Sequence, residues 1–164
     1  MAVTTVYEGD DTLLRDVVHV LREYLGENLV TLVAFGSYAR GEASEWSDCD
    51  LYLIANELPP NRLERAEYVN TSSCARFDRA ISIKADTKAE FEAGFPSLYL
   101  DLAMDGIILF DTDDYIKKKL ARIHELTRAA GLYRVRFDGQ FAWEWLKPPK
   151  PHWVLDWEGF RELA

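Results

Sequence analysis

Asp48 and Asp50 are separated by one residue at the mouth of an apolar run, DLYLIA (50–55). Side chains two apart in a strand project from the same face. Carboxylates held this close repel unless a cation or a proton lies between them. A hard divalent ion, Mg²⁺ or Mn²⁺, suits an all-oxygen site and also bridges substrate phosphates. Upstream, Gly36-Ser37 ends a second apolar run, LVTLVAF (29–35). That junction offers backbone N–H groups and a hydroxyl to an anion, and Arg40 adds positive charge one turn on. A phosphate cradle facing a metal-holding carboxylate pair is a layout for nucleotidyl transfer.

Taken singly, these features are ordinary. A Gly-Ser step is usually only a turn, Ser47-Asp48 reads as a strand-start cap, and Asp-x-Asp is common on solvated edges. Their joint occurrence between two strand-like runs is what points to a site.

The elements around the site follow from pattern. Asp10, Asp11 and Thr12 precede Leu13, Leu14, Val17, Val18, Leu21, Tyr24 and Leu25, which recur at helical spacing until Gly26. The runs 29–35 and 50–55 are apolar throughout, as strands covered on both faces are. Pro59-Pro60 opens a charged helix to about Tyr68. A third strand is expected over 80–85, helices near 88–91 and over 96–105, a short strand over 106–111, and a basic helix over 115–130. The alternation predicts an α/β (α+β) fold, a small mixed sheet backed by helices. Domain limits of 1–130 and 131–164 are expected, the second part a Trp-rich extension. Within it, two alternating runs flank Asp138-Gly139, a strong hairpin signal. Four of the five tryptophans lie between 143 and 157. They either close over the core or form an oligomer or partner surface.

Composition narrows the class. A net charge of −9 argues against broad nucleic-acid binding. Nearly half of the residues are apolar, so a packed core is feasible, and no run reaches membrane-spanning length. The N-terminal MAVTTVYEGDD lacks the features of a signal peptide, and Cys49 and Cys74 read as free thiols of a cytoplasmic protein. The three histidines lack metal-ligand spacing.

GSYARGEASEWSDCDLYLI (36–54) resembles the signature of the DNA polymerase beta-type nucleotidyltransferase superfamily. Gly36-Ser37 is followed after residues 38–47 by Asp48-Cys49-Asp50, and ARG (39–41) with SD (47–48) is similar to the small prokaryotic members, the minimal nucleotidyltransferases. FPSLYLDLAMDGIILFD (95–111) resembles the helix and strand that follow in those proteins. The resemblance implies that Asp48 and Asp50 bind divalent ions and that Gly36 and Ser37, with Arg40 and Ser47 beside them, hold a nucleoside triphosphate.

That family supplies a third carboxylate from the next core strand. On the match, this position falls on Ser82 in AISIKAD (80–86). Asp78 and Asp86 share Ser82's face by parity, each roughly 13 Å away at about 3.3 Å per residue. Asp86 is the expected substitute and catalytic candidate. The resemblance implies transfer of AMP from ATP to a hydroxyl of a protein or small molecule. Minimal nucleotidyltransferases are often antitoxins that adenylylate a HEPN-type toxin. Two alternatives stand beside this: a degenerate member that binds nucleotide or partner without chemistry, and an antibiotic nucleotidyltransferase.

Overall fold

The computed structural model describes residues 2–70 and 77–164, so Cys74 lies outside the described residues. Five strands form the central sheet: β1 (Thr4–Val6), β2 (Leu29–Phe35), β3 (Cys49–Ala55), β4 (Ile81–Thr87) and β5 (Ile107–Thr112), in spatial order β1-β5-β2-β3-β4. Only β3 and β4 are parallel to one another, and the other neighbours are antiparallel. A parallel pair needs a crossover, and α3 (Arg62–Asn70) lies within this one.

Helices cover both faces, which is why β2 and β3 are apolar at nearly every position. α1 (Thr12–Leu25) buries Leu14, Val17, Val18, Leu21 and Leu25 against Leu32, Ala34, Leu51 and Leu53. Asp11 caps it, its carboxylate accepting from the Leu14 N–H at 3.0 Å, and Gly26 ends it at φ 55°. On the opposite face, Val33, Tyr52 and Ile54 pack against α4 (Lys88–Ala93), α5 (Leu98–Asp105) and α6 (Tyr115–Ala129). Asp111, at the end of β5, is buried. It accepts from the N–H groups of Ile116 (2.9 Å) and Lys117 (3.1 Å), which gives the first turn of α6 its acceptors. No helix among the described residues is long and apolar enough to cross a membrane.

β1 lies outside the expected elements, because a three-residue edge strand carries no periodicity to detect. The expected hairpin forms as β6 (Leu132–Phe137) and β7 (Gln140–Trp145), and Asp138 and Gly139 take φ of 50° and 77°, as a tight two-residue turn requires. Pro148, Pro149 and Pro151 lie in irregular chain, and a second hairpin, β8 (Trp153–Asp156) and β9 (Gly159–Glu162), follows them. After β8, the Trp157 indole donates to the Gly94 carbonyl at 2.9 Å and meets the rings of Phe91 and Phe95 at 5.5 and 5.0 Å. Trp145 packs on Trp153 and Phe160. These contacts fasten the tail to the α4–α6 face.

Candidate functional site

The antiparallel β2–β3 ladder sets Phe35 opposite Asp50, so the chain leaves β2 where the carboxylates enter β3. Gly36 has φ +74°, and a Cβ placed there would lie 2.6 Å from Asp50 Oδ2. Glycine is required twice over, for its backbone conformation and for the approach of the carboxylate. The single turn α2 (Gly36–Ala39) carries Ser37 and ends at Arg40, whose N–H donates to the Gly36 carbonyl at 3.2 Å. The Glu42 N–H returns to the Ser37 carbonyl at 2.9 Å.

Asp48 is exposed just ahead of β3, while Asp50 is half-buried in its first turn of ladder. Burial raises the Asp50 pKa above the usual carboxylate range, the Asp48 charge raises it further, and the Arg40 cation works against both. Both carboxylates and one cation are therefore electrostatically coupled. Cys49 points to the opposite face, fully buried, and burial first of all pushes its thiol up to about 12. Ser47 contributes to the loop: its hydroxyl accepts from the Ser44 N–H at 3.0 Å. The Arg79 guanidinium donates to the carbonyls of Ser44 (2.8 Å) and Ser47 (2.5 Å), pinning the segment that delivers Asp48. Trp46, in the same loop, is 86% exposed.

Ser82 pairs with Asp50 across the parallel β3–β4 ladder. Asp86 pairs with Ile54, four residues along, and the structure does not bring it to Asp50. The Tyr52 hydroxyl donates to Asp86, and Arg65 lies 4.0 Å from its other oxygen. Asp78 is exposed ahead of β4. Among the described residues, no group of three or more His, Cys, Asp and Glu gathers at a metal-binding distance. Asp48 and Asp50 supply hard oxygen donors that fit Mg²⁺ or Mn²⁺, with nucleotide phosphates able to complete the shell.

The tail reaches this site. In the β6–β7 register Arg134 faces Trp143 and Arg136 faces Phe141, so these four side chains share one face and Tyr133, Val135 and Phe137 take the other. The Arg134 guanidinium binds Asp105 at 2.6 and 2.8 Å, and Arg40 meets the same carboxylate at 3.2 Å. Arg134, Arg136 and Arg40 stack on Phe141 at 3.9, 4.5 and 4.7 Å from its centroid. Arg136 also pairs with Glu42. Although burial opposes it, the Arg134 and Arg40 partners bring the Asp105 pKa below the usual range. The network was legible only through the Asp138-Gly139 turn, which dictates that 134 meets 143 and 136 meets 141. Arg134 and Arg136 are thereby held by Asp105 of α5 and by Glu42, which follows α2.

The family model of the nucleotidyltransferase domain matches residues 14–109. The chain belongs to that family. The nucleotidyltransferase is 27% identical over 131 residues to "Putative protein adenylyltransferase MJ1305" of Methanocaldococcus jannaschii, a match covering 72% of this chain and 83% of the relative. A chain of a crystal structure of a toxin–antitoxin with AMP-PNP superposes with a TM-score of 0.50 at 19% identity, over 71% of this chain and 90% of that one. A chain from the complex of the tri-AMPylated Shewanella oneidensis HEPN toxin with MNT antitoxin has a TM-score of 0.45 at 15% identity, over 71% and 85%. The family match ends before α6, so the β6–β7 hairpin, whose Phe141 touches Arg40, lies beyond it.

Proposed function

We propose that this nucleotidyltransferase moves AMP from ATP onto a hydroxyl of a protein acceptor in the cytoplasm, using Mg²⁺ or Mn²⁺ held by Asp48 and Asp50. One observation carries this reading: a Cβ at Gly36 would lie 2.6 Å from Asp50 Oδ2, so the Gly36-Ser37 turn and the carboxylate lie close enough to act on one nucleotide. A bound divalent ion supplies charge neutralisation for the transferred phosphoryl group. Gly36 and Ser37 give the triphosphate backbone and hydroxyl donors, and Arg40 adds a cation anchored by Asp105 and Phe141. The curated relative's name supports a protein acceptor. The motif's resemblance to minimal nucleotidyltransferases supports a HEPN-type toxin as that acceptor.

The base for the attacking hydroxyl is the open role. Asp86 is engaged by Tyr52 and Arg65 and is assigned to structure, which leaves deprotonation to a group on the acceptor. Ser82 beside Asp50 favours a second reading, nucleotide binding without transfer. Label from α-labelled ATP, followed on a co-expressed HEPN-type partner, separates the two. Transfer that depends on Asp50 supports the enzyme. Metal-dependent ATP binding by calorimetry, with no label moving to that partner, supports the binding protein. Equal ATP binding by wild type and Asp50→Asn would remove the site.

A further inference from the structure

A second candidate site lies at the other end of the sheet. β3 runs from Cys49 beside the carboxylates to Ala55, which places Asn56 roughly 20 Å from Asp50 at about 3.3 Å per residue. There a cavity of about 780 Å³ opens between the start of β2, the end of β5 and the first turns of α6, with Asn56 and Lys88 on its wall. That volume is of the size that holds a nucleotide-like molecule.

The charge of the lining is opposite to that of the protein. Lys88, Lys118, Lys119 and Arg122 line it against two carboxylates, Glu27 and Asp113, in a chain of net charge −9. Lys119 and Arg122 have outside partners, Glu92 at 3.8 Å and Glu125 at 3.3 Å. Among the described residues, Lys88 and Lys118 have no carboxylate partner. The Lys88 ammonium instead sits 4.6 Å from the Tyr115 ring centroid, and Lys119 stacks on Tyr115 and Trp157 at 5.7 and 4.8 Å. Leu29, Val30 and Phe110 give the cavity an apolar wall. Ammonium groups beside aromatic and aliphatic surface match a ligand that joins phosphate charge to a flat apolar part.

We propose that this cavity is a binding site for a phosphorylated small molecule of nucleotide size, separate from the candidate active site and independent of the transfer reaction. ADP without divalent ion is the probe, titrated into the full chain at low salt, with calorimetry as the readout. The exposed pair Lys88→Glu/Lys118→Glu is expected to weaken ADP binding by about tenfold or more, the equivalent of losing one charge-assisted hydrogen bond. Asp50→Asn is expected to leave it unchanged. Lys147→Glu/Lys150→Glu makes the same change in net charge on the tail and is expected to have little effect. Should the charge-reversed pair fail to keep a wild-type melting transition, Lys88→Gln/Lys118→Gln replaces it with the same expectation. No ADP binding at millimolar concentration, equal weakening by the tail pair, or loss of binding in Asp50→Asn would each overturn the proposal. So would binding of a single-stranded RNA oligonucleotide with none of ADP.

Discussion

Ser82 and Asp50 are direct partners in the parallel β3–β4 ladder, so the Ser82 hydroxyl shares a sheet face with the Asp50 carboxylate. Ser82→Asp would place a third negative charge beside Asp48 and Asp50. Without divalent ions the variant is expected to melt below the wild type, because like charges at one strand end repel. With Mn²⁺ the order should reverse, and Mn²⁺ affinity should rise by about tenfold or more as the donor count grows. Melting curves with and without Mn²⁺ check this. A variant indifferent to metal would show that the ladder end is not an ion site.

Gly36 tolerates no side chain. A Cβ would meet Asp50 Oδ2 at 2.6 Å, and the φ of +74° disfavours any L-residue. Gly36→Ala is expected to cost about 1–2 kcal/mol from the left-handed backbone alone. It should also weaken Mg²⁺-ATP binding by displacing the carboxylate. Denaturant unfolding gives the first effect and calorimetry the second. Loss of stability with unchanged nucleotide affinity would reduce Gly36-Ser37 to a turn.

Asp50 carries a pH signature. Its pKa is raised in the fold, by burial first and by the Asp48 charge second. Between the ordinary carboxylate range and the raised value, the folded state binds more protons than the unfolded chain. Stability must therefore fall as pH rises through that window. Asp50→Asn should remove that slope and unfold at higher denaturant than wild type at neutral pH. Urea unfolding between about pH 3 and about pH 8, across the carboxylate titration range, is the measurement. A steeper slope in the variant would contradict the assignment.

Arg134 and Asp105 form a bidentate pair with side chains 10% and 7% exposed. Removing Arg134 leaves the buried Asp105 carboxylate with Arg40 as its remaining cation, so Arg134→Ala should cost about 1–3 kcal/mol. Arg134→Met with Asp105→Leu also takes that carboxylate from Arg40 and is expected to cost no less. Arg40 leans on the same carboxylate and on Phe141, so Phe141→Ala should loosen it and weaken ATP binding with a smaller loss of stability. ATP titration and urea unfolding of all three variants separate these effects. Arg134→Ala with wild-type stability would mean that the hairpin is not latched to α5.

Asp86 tests the division between structure and chemistry. Asp86→Ala strands the buried Tyr52 hydroxyl without its acceptor, at a cost of about 1–3 kcal/mol. Mg²⁺-ATP affinity should stay at the wild-type value. A selective loss of transfer, with unfolding unchanged, would instead return Asp86 to the reaction.

The local sequence determined much of this protein because its signals are short-range. Helical spacing from Leu13 to Leu25, the two apolar runs ending at Phe35 and Ala55, and the Asp138-Gly139 turn are decided by neighbours along the chain. So is the Gly36-Ser37…Asp48-x-Asp50 spacing. What tertiary structure alone decided depends on register between distant strands. The pairing of Asp50 with Ser82 and of Ile54 with Asp86 follows from how β4 docks along β3, and one shift of that register would exchange the partners. Likewise, Arg134 and Arg136 alternate with apolar residues in a way that leaves the inward face open. Only burial of the Phe141, Trp143 and Trp145 side turned the arginines toward Asp105 and Arg40, because a hairpin commits both strands' matched faces at once.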